Sequence, residues 1–185
     1  FYLAKQAYDA SGKPLEGQYI QPDGSISSTE TRYATGKSSL PTSYLGFNTQ
    51  VSYKNWDFAI SGHGSFGNYM YNYVAADQYV QSVYSDQGSY SNILKATQET
   101  GFQTQQLYSD YFLENASFFR IDNISLGYTF HKLWNSSSSL RLTFGVQNVA
   151  VFTGYSGIDP EIYSGIDREV YPRPRTYSFS ASLSF

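Results

Sequence analysis

Chemistry at a protein site needs several convergent donors or acids, and few groups in this chain offer them. The two histidines, His63 and His131, are far apart in the sequence. His63 lies on the polar side of an alternating run and reads as a residue facing a polar interior rather than as a ligand. Asp159, Glu161, Asp167 and Glu169 crowd one short stretch, a spacing that could gather oxygen donors around a hard cation. Arg168, Arg173 and Arg175 stand beside them, so solvated or ion-paired loop carboxylates are the plainer reading. The run YPRPR at 171–175 could suit proline-rich recognition, yet its prolines also stiffen the approach to a strand whose interior they cannot occupy. No Ser/His/Asp array, glycine-rich phosphate loop or carboxylate pair can be assembled, so the expectation is no enzyme, no metal and no cofactor.

Tyrosines are the remaining candidates. Tyr69, Tyr71, Tyr73, Tyr79, Tyr84 and Tyr90 fall in one long segment, 68–115, where 74–84 could form a short helix, and Tyr155 falls in another. A phenol presents an apolar face to a sugar ring or peptide side chain and a hydroxyl for hydrogen bonding. Tyr69, Tyr71, Tyr73 and Tyr155 are therefore the candidate substrate contacts. The competing assignment is that they pack the loop onto itself or onto a partner.

What would hold such loops is set by composition. Of 185 residues, 15% are charged and 18% aromatic, with 19 Tyr, 13 Phe and 15 Gly. That mixture favours strands over helices. A net charge of −3 and the lack of basic clusters exclude a nucleic-acid surface. With no cysteine there is no disulfide framework or thiolate metal site. No apolar run approaches the ~18 residues of a membrane-spanning helix. A mean hydropathy slightly below zero suits a soluble protein, and equally a membrane barrel with long polar loops.

Periodicity of two separates these. The ending TYSFSASLSF (176–185) alternates Tyr177, Phe179, Ala181, Leu183 and Phe185 with Thr or Ser only. Four further runs alternate: 43–53, 56–66, 119–130 and 140–152, with a one-residue phase slip near Asp122-Asn123 that a β-bulge would absorb. A sixth strand around 1–8 is weakly patterned. Lys54-Asn55 between the first two runs reads as a tight hairpin. A soluble sandwich also alternates, but two features favour a membrane barrel. Short connections (54–55, 131–139) alternate with long ones (68–115, 153–174), and the ionised residues of the strictly alternating stretches 43–53, 56–66, 124–130, 140–147 and 176–185 are Asp57 and Arg141, both on the polar side. The expected fold is all-β: an antiparallel transmembrane β-barrel of which residues 1–185 form one part, with extracellular loops at about 9–41, 68–115 and 153–174. The carboxyl end would then be periplasmic. Tyr53, Trp56, Tyr128, Phe130 and Trp134 flank the short turns, where an inner membrane-interface girdle belongs. Five or six strands cannot close a barrel that needs at least about eight, so the remainder is expected from a longer parent, and the opening Phe1-Tyr2-Leu3 reads as a cut within a strand.

The stretch LPTSYLGFNTQVSYKNWDFAISGHGSFGNYMYNY (40–73) resembles the late-barrel segment of SusC/RagA-like TonB-dependent transporters of Bacteroidetes. ENASFFRIDNISLGYTF (114–130), LRLTFGVQNVAVFTGYSGIDPEI (140–162) and GIDREVYPRPRTYSFSASLSF (165–185) are similar to the family's following strands and closing segment, in the same order. The stretch 18–30 departs from many relatives, whose Asp/Asn-rich, calcium-like loop is reduced here to Asp23-Gly24, and no metal is inferred from it. The resemblance implies the C-terminal five to six strands of a barrel of about 22 strands with its plug elsewhere in the parent. It implies an outer-membrane importer of oligosaccharides or peptides, partnered by a SusD-like lipoprotein outside and by TonB through the absent N-terminal part. Tyr177, Phe179, Leu183 and Phe185 would serve as its C-terminal barrel-assembly signal. Two alternatives are a family barrel recruited as a structural subunit of a larger outer-membrane assembly, and a soluble sandwich adhesin.

Overall fold

The structure, a computed structural model, describes residues 1–79, 92–134, 137–168 and 171–185. In chain order its strands are β1 (Tyr2–Tyr8), β2 (Pro14–Ile20), β3 (Ile26–Ser27), β4 (Arg32–Ala34), β5 (Ser43–Tyr53), β6 (Trp56–Phe66), β7 (Tyr69–Asn72), β8 (Leu113–Asn115), β9 (Phe118–His131), β10 (Ser139–Thr153), β11 (Ile166–Asp167) and β12 (Thr176–Ser184). Helices α1 (Tyr73–Asp77) and α2 (Lys95–Thr100) are short. α1 covers the start of the expected helix over 74–84; its part from 80 onward, with Tyr84 and Tyr90, lies outside the described residues, as does Glu169. The chain divides into two compact units, one built from 42–66, 117–154 and 171–185, the other from 1–41, 67–116 and 155–170.

The first unit is one antiparallel sheet in the order β12-β10-β9-β6-β5. Register aligns the apolar parity across all five strands. One rung runs Val51, Phe58, Leu126, Phe144, Phe179, and a neighbouring rung Thr49, Ile60, Ile124, Val146, Tyr177. A slip of one residue on any strand would move its whole apolar set to the other face. These side chains are not covered by a second layer: Phe144 is 48%, Phe179 70% and Tyr177 63% exposed. An apolar face of this extent is foreign to a water-soluble sandwich, whose inner face is buried.

Glycines carry the sheet past its crowded points. A Cβ on Gly62 would sit 2.4 Å from the Arg120 carbonyl oxygen and 2.5 Å from the Phe47 ring, so Phe47 lies over a bare stretch of backbone and stacks on Phe119 at 5.6 Å. On the polar face a Cβ on Gly127 would meet the Asp57 carboxylate at 2.5 Å. The absence of that side chain lets Asp57 reach across β9 to Arg141, with Nη2 to Oδ2 at 2.6 Å.

The second unit holds two small sheets, ordered β3-β2-β1-β4 and β11-β7-β8. The weakly patterned run near the start is a strand, but a strand of this unit rather than of the long sheet. β1 buries Leu3, Ala4, Gln6 and Ala7, pairs with β2 and β4 on its two sides, and so shows no simple two-residue alternation. Leu3, Tyr71, Ala76, Phe102 and Phe112 form its main core, and Met70, Ala116 and Tyr155 a smaller one.

Changing Gly62 to Val sets a side chain against main chain and should cost about 1–3 kcal/mol or more. Gly46→Ala, with nothing within 4 Å of its Cβ, should be neutral. Comparing the heat-modifiable folded band of the full-length parent on semi-native gels checks this: the band should weaken for Gly62→Val alone.

Candidate functional site

Apart from the Asp57–Arg141 pair, the polar face of the long sheet brings His63, Arg120 and Asp122 to one level. Opposite Ser61 and Gly62 of β6, β9 carries Asn123 and Ile121, so Asp122 is an extra residue; opposite that same residue, β10 inserts Asn148 and Val149. The phase slip read from the sequence is thus a bulge shared by three strands. Asn148 takes a left-handed conformation, φ 51°, which Asn tolerates better than most residues. The distortion turns side chains toward one another. Asp122 Oδ2 lies 2.7 Å from His63 Nδ1, Arg120 Nη1 donates to Asn148 Oδ1 at 2.8 Å, and Asn148 Nδ2 donates to the Arg173 carbonyl at 2.7 Å. His63 also meets the Phe118 ring edge-on at 5.5 Å. Sequence reasoning placed His63 on this face but missed Arg120, Asp122 and Asn148 as its neighbours, because one slipped residue on each of two strands is needed to align them. His131 sits at the other end of β9, opposite Ser139.

The loop tyrosines divide. Tyr71 and Tyr155 are 4% and 6% exposed. The Tyr71 hydroxyl donates to the Leu107 carbonyl at 2.6 Å, and that of Tyr155 to Asp167 Oδ2 at 2.7 Å. So buried, neither presents a face to a ligand; they are packing residues. Tyr69 and Tyr73 are partly exposed, each against a cation: Lys37 Nζ is 4.4 Å from the Tyr69 ring and Arg168 is 4.4 Å from that of Tyr73. Of the clustered carboxylates, Asp167 is held by Tyr155, and Asp159 accepts the Glu161 amide at 2.9 Å. Among the described residues no His, Asp or Glu group of three or more could hold a metal.

Buried polar side chains, invisible as motifs, hold this unit together. Gln6 is 1% exposed, yet its amide nitrogen donates to the carbonyls of Leu15 at 2.6 Å and Gln18 at 3.2 Å while its oxygen accepts from Ser109 Oγ at 2.6 Å. Gln106 Oε1 accepts from the Gly17 amide and the Tyr19 hydroxyl. Nearer the surface, the partly exposed Glu114 accepts from the buried Asn72 and twice from the exposed Ser156. Side chains from three separated segments thus satisfy one another, as buried polar groups must.

Beside the short turns, Trp56 meets Tyr128 edge-on at 4.7 Å, and Tyr128 meets Phe130 at 4.6 Å. Tyr53 and Trp134 are 67% and 71% exposed. The turn itself places Lys54 at φ 53°, and Asn55 joins β9 through its side-chain nitrogen on the Thr129 carbonyl, 2.8 Å.

A sheet apolar outside, charged on its other face and joined by long folded segments can be set beside known proteins. No family model matches the chain. It is 35% identical over 193 residues to the TonB-dependent receptor SusC of Bacteroides thetaiotaomicron, a match that covers 100% of this chain and 19% of that protein. The chain corresponds over its whole length to a segment of the SusC/RagA-like TonB-dependent transporters. The TonB-dependent receptor P3 of Formosa agariphila is 26% identical over 132 residues, covering 65% of this chain and 13% of that one. Among solved structures, the RagAB peptide transporter superposes over 100% of this chain and 23% of its own, with a TM-score of 0.67 and 25% identity. The RagAB peptide importer in its open-open state gives a TM-score of 0.70 at 24% identity, covering 100% of this chain and 22% of its own. The chain therefore spans less than a quarter of the length of these relatives, and its long sheet is part of a SusC/RagA-like transmembrane barrel. These relatives are transporters and receptors, not enzymes.

The phenol of Tyr155 is pushed well above the ordinary tyrosine range, by burial first, then by its bond to Asp167 and that residue's charge. Burial also leads the upward shifts at Tyr33 and Tyr71. A raised folded-state value means that the folded loops keep protons the unfolded chain releases above about pH 10. Their contribution is therefore intact below pH 10 and is lost as pH climbs toward the folded values. Alkaline titration of tyrosinate absorbance should show late-ionising tyrosines that fall in number in Tyr155→Phe. The same variant deprives Asp167 of a donor at a cost of about 1–3 kcal/mol, seen as faster hydrogen exchange across 155–168.

Proposed function

We propose that the parent of this chain is an energised outer-membrane importer of oligosaccharides or peptides. A SusD-like lipoprotein would work with it at the cell surface, and TonB would act through a part of the parent outside this chain. The observation that carries this reading is the full-length likeness to SusC at 35% identity on a sheet whose apolar side chains point outward unburied. In this reading Tyr53, Trp56, Tyr128, Phe130 and Trp134 form the periplasmic-side aromatic girdle, the carboxyl end is periplasmic, and Tyr177, Phe179, Leu183 and Phe185 form the signal read during barrel assembly. The long segments joining the strands face outward from the cell. Of the candidate tyrosines, Tyr69 and Tyr73 retain partly exposed rings for substrate or lipoprotein contact.

Deleting the parent gene, or removing the TonB-contacting segment alone, should each abolish growth on the transported oligosaccharide or peptide, restored by the intact gene. Growth unchanged in both strains, with the parent co-purifying with other barrels, would replace import by a structural role in a larger assembly.

A further inference from the structure

The loop unit contains an open groove of about 360 Å³ lined by Lys5, Ile20, Gln21, Pro22, Gly24, Thr31 and Tyr33. Its shape follows from local chain geometry. The β2–β3 hairpin turns through Gly24, φ 84°, closed by the Gln21 amide on the Ser25 carbonyl at 2.8 Å and by Asp23 capping Ser25. The Gln21 side chain then donates to the Thr29 carbonyl at 2.7 Å, which holds the returning segment beside the hairpin. Tyr33 is fixed at the opposite wall by its hydroxyl, which donates to Asp110 Oδ2 at 2.6 Å.

Lys5 is the only ionised residue lining the groove. It is exposed, and among the described residues it makes no ion pair. Of the neighbouring carboxylates, Glu30 pairs with Arg32 at 2.8 Å, while Asp23 accepts from Ser25 and Asp110 accepts from Tyr33 and the Gln6 amide, bonds that fix both carboxylates in place. Burial and the bond to Asp110 keep the Tyr33 phenol neutral. The remaining lining is apolar surface from Ile20, Pro22 and the Tyr33 ring, with the Thr31 hydroxyl and Gln21 amide at the margin. The strands flooring it, β1 and β2, lie inside their sheet, β1 between β2 and β4 and β2 between β3 and β1.

We propose that this groove is a binding site for an acidic sugar, a pyranose ring lying on the Tyr33–Pro22 surface with its carboxylate on the Lys5 ammonium. A ring with apolar C–H faces and peripheral hydroxyls matches the lining, and an ammonium is the complement of a carboxylate. The site rests on the importer reading for its purpose, as a surface contact for substrate, but its ligand chemistry is independent of transport.

The test is calorimetric or saturation-transfer titration of the detergent-solubilised full-length transporter with sodium glucuronate, glucose and sodium acetate. Glucuronate should bind at least tenfold more tightly than either of the others. Lys5→Met, an exposed change that leaves the folded band intact, should weaken glucuronate about tenfold, the loss of one charge-assisted contact, and bring it level with glucose. Tyr33→Ala should weaken glucuronate and glucose together. Acetate binding as tightly as glucuronate, glucuronate unaffected by Lys5→Met, or no glucuronate binding overturns the proposal. An uptake defect on gene deletion, with Lys5-independent binding, would sink the groove and leave the importer; Lys5-dependent binding without any uptake defect would do the reverse.

Discussion

Every backbone amide and carbonyl that enters hydrocarbon must be hydrogen-bonded to another part of the protein, because each unpaired group there costs several kcal/mol. That constraint explains the long sheet. Its strands of nine to fifteen residues are paired along nearly their whole length, and its side chains sort by parity into one apolar and one polar face. It also explains why the sheet belongs to a larger barrel: β12 and β5 stand at its two ends, and only closure by further strands removes edges in a membrane.

Within that ladder the departures are local and each has a partner. Gly127 leaves room for the Asp57–Arg141 ion pair to cross a strand, so both charges are compensated on the polar face. The bulge at Asp122, with its counterpart at Asn148, interrupts the ladder but brings His63, Arg120, Asp122 and Asn148 within hydrogen-bonding reach. Bulges often re-aim side chains near functional sites. Here the result is a charged band on an otherwise hydroxyl- and amide-rich wall. The loop unit follows a different rule: it has its own apolar core, and buried amides, with the partly exposed Glu114, link three separated segments by hydrogen bonds.

The long strands were legible because a two-residue period is a property of each strand alone. Alternation at 176–185 and 43–53, and the slip near Asp122, required no knowledge of neighbours. The loop unit was not legible for the converse reason. Its stability comes from pairings between distant segments, such as Gln6 with Ser109 or Glu114 with Ser156, and nothing in the local pattern of either partner marks them. The tyrosines show the same limit. Composition drew attention to Tyr69, Tyr71, Tyr73 and Tyr155 as a set, but only tertiary packing separates Tyr71 and Tyr155, buried with bonded hydroxyls, from Tyr69 and Tyr73, which keep exposed ring surface. His63 was placed on its face by parity, whereas Arg120 and Asn148 join it through a change of register.

The central claim is that alternate side chains of these strands touch lipid. This chain contains no cysteine; with any cysteine elsewhere in the full-length parent replaced, single cysteines can be placed at successive positions from 176 to 184 in outer-membrane vesicles and spin-labelled. Accessibility to dissolved oxygen, which concentrates in hydrocarbon, should peak at 177, 179, 181 and 183, while accessibility to a water-soluble nickel chelate should peak at the positions between. A flat profile along the strand, or nickel accessibility highest at the odd positions, would contradict the account.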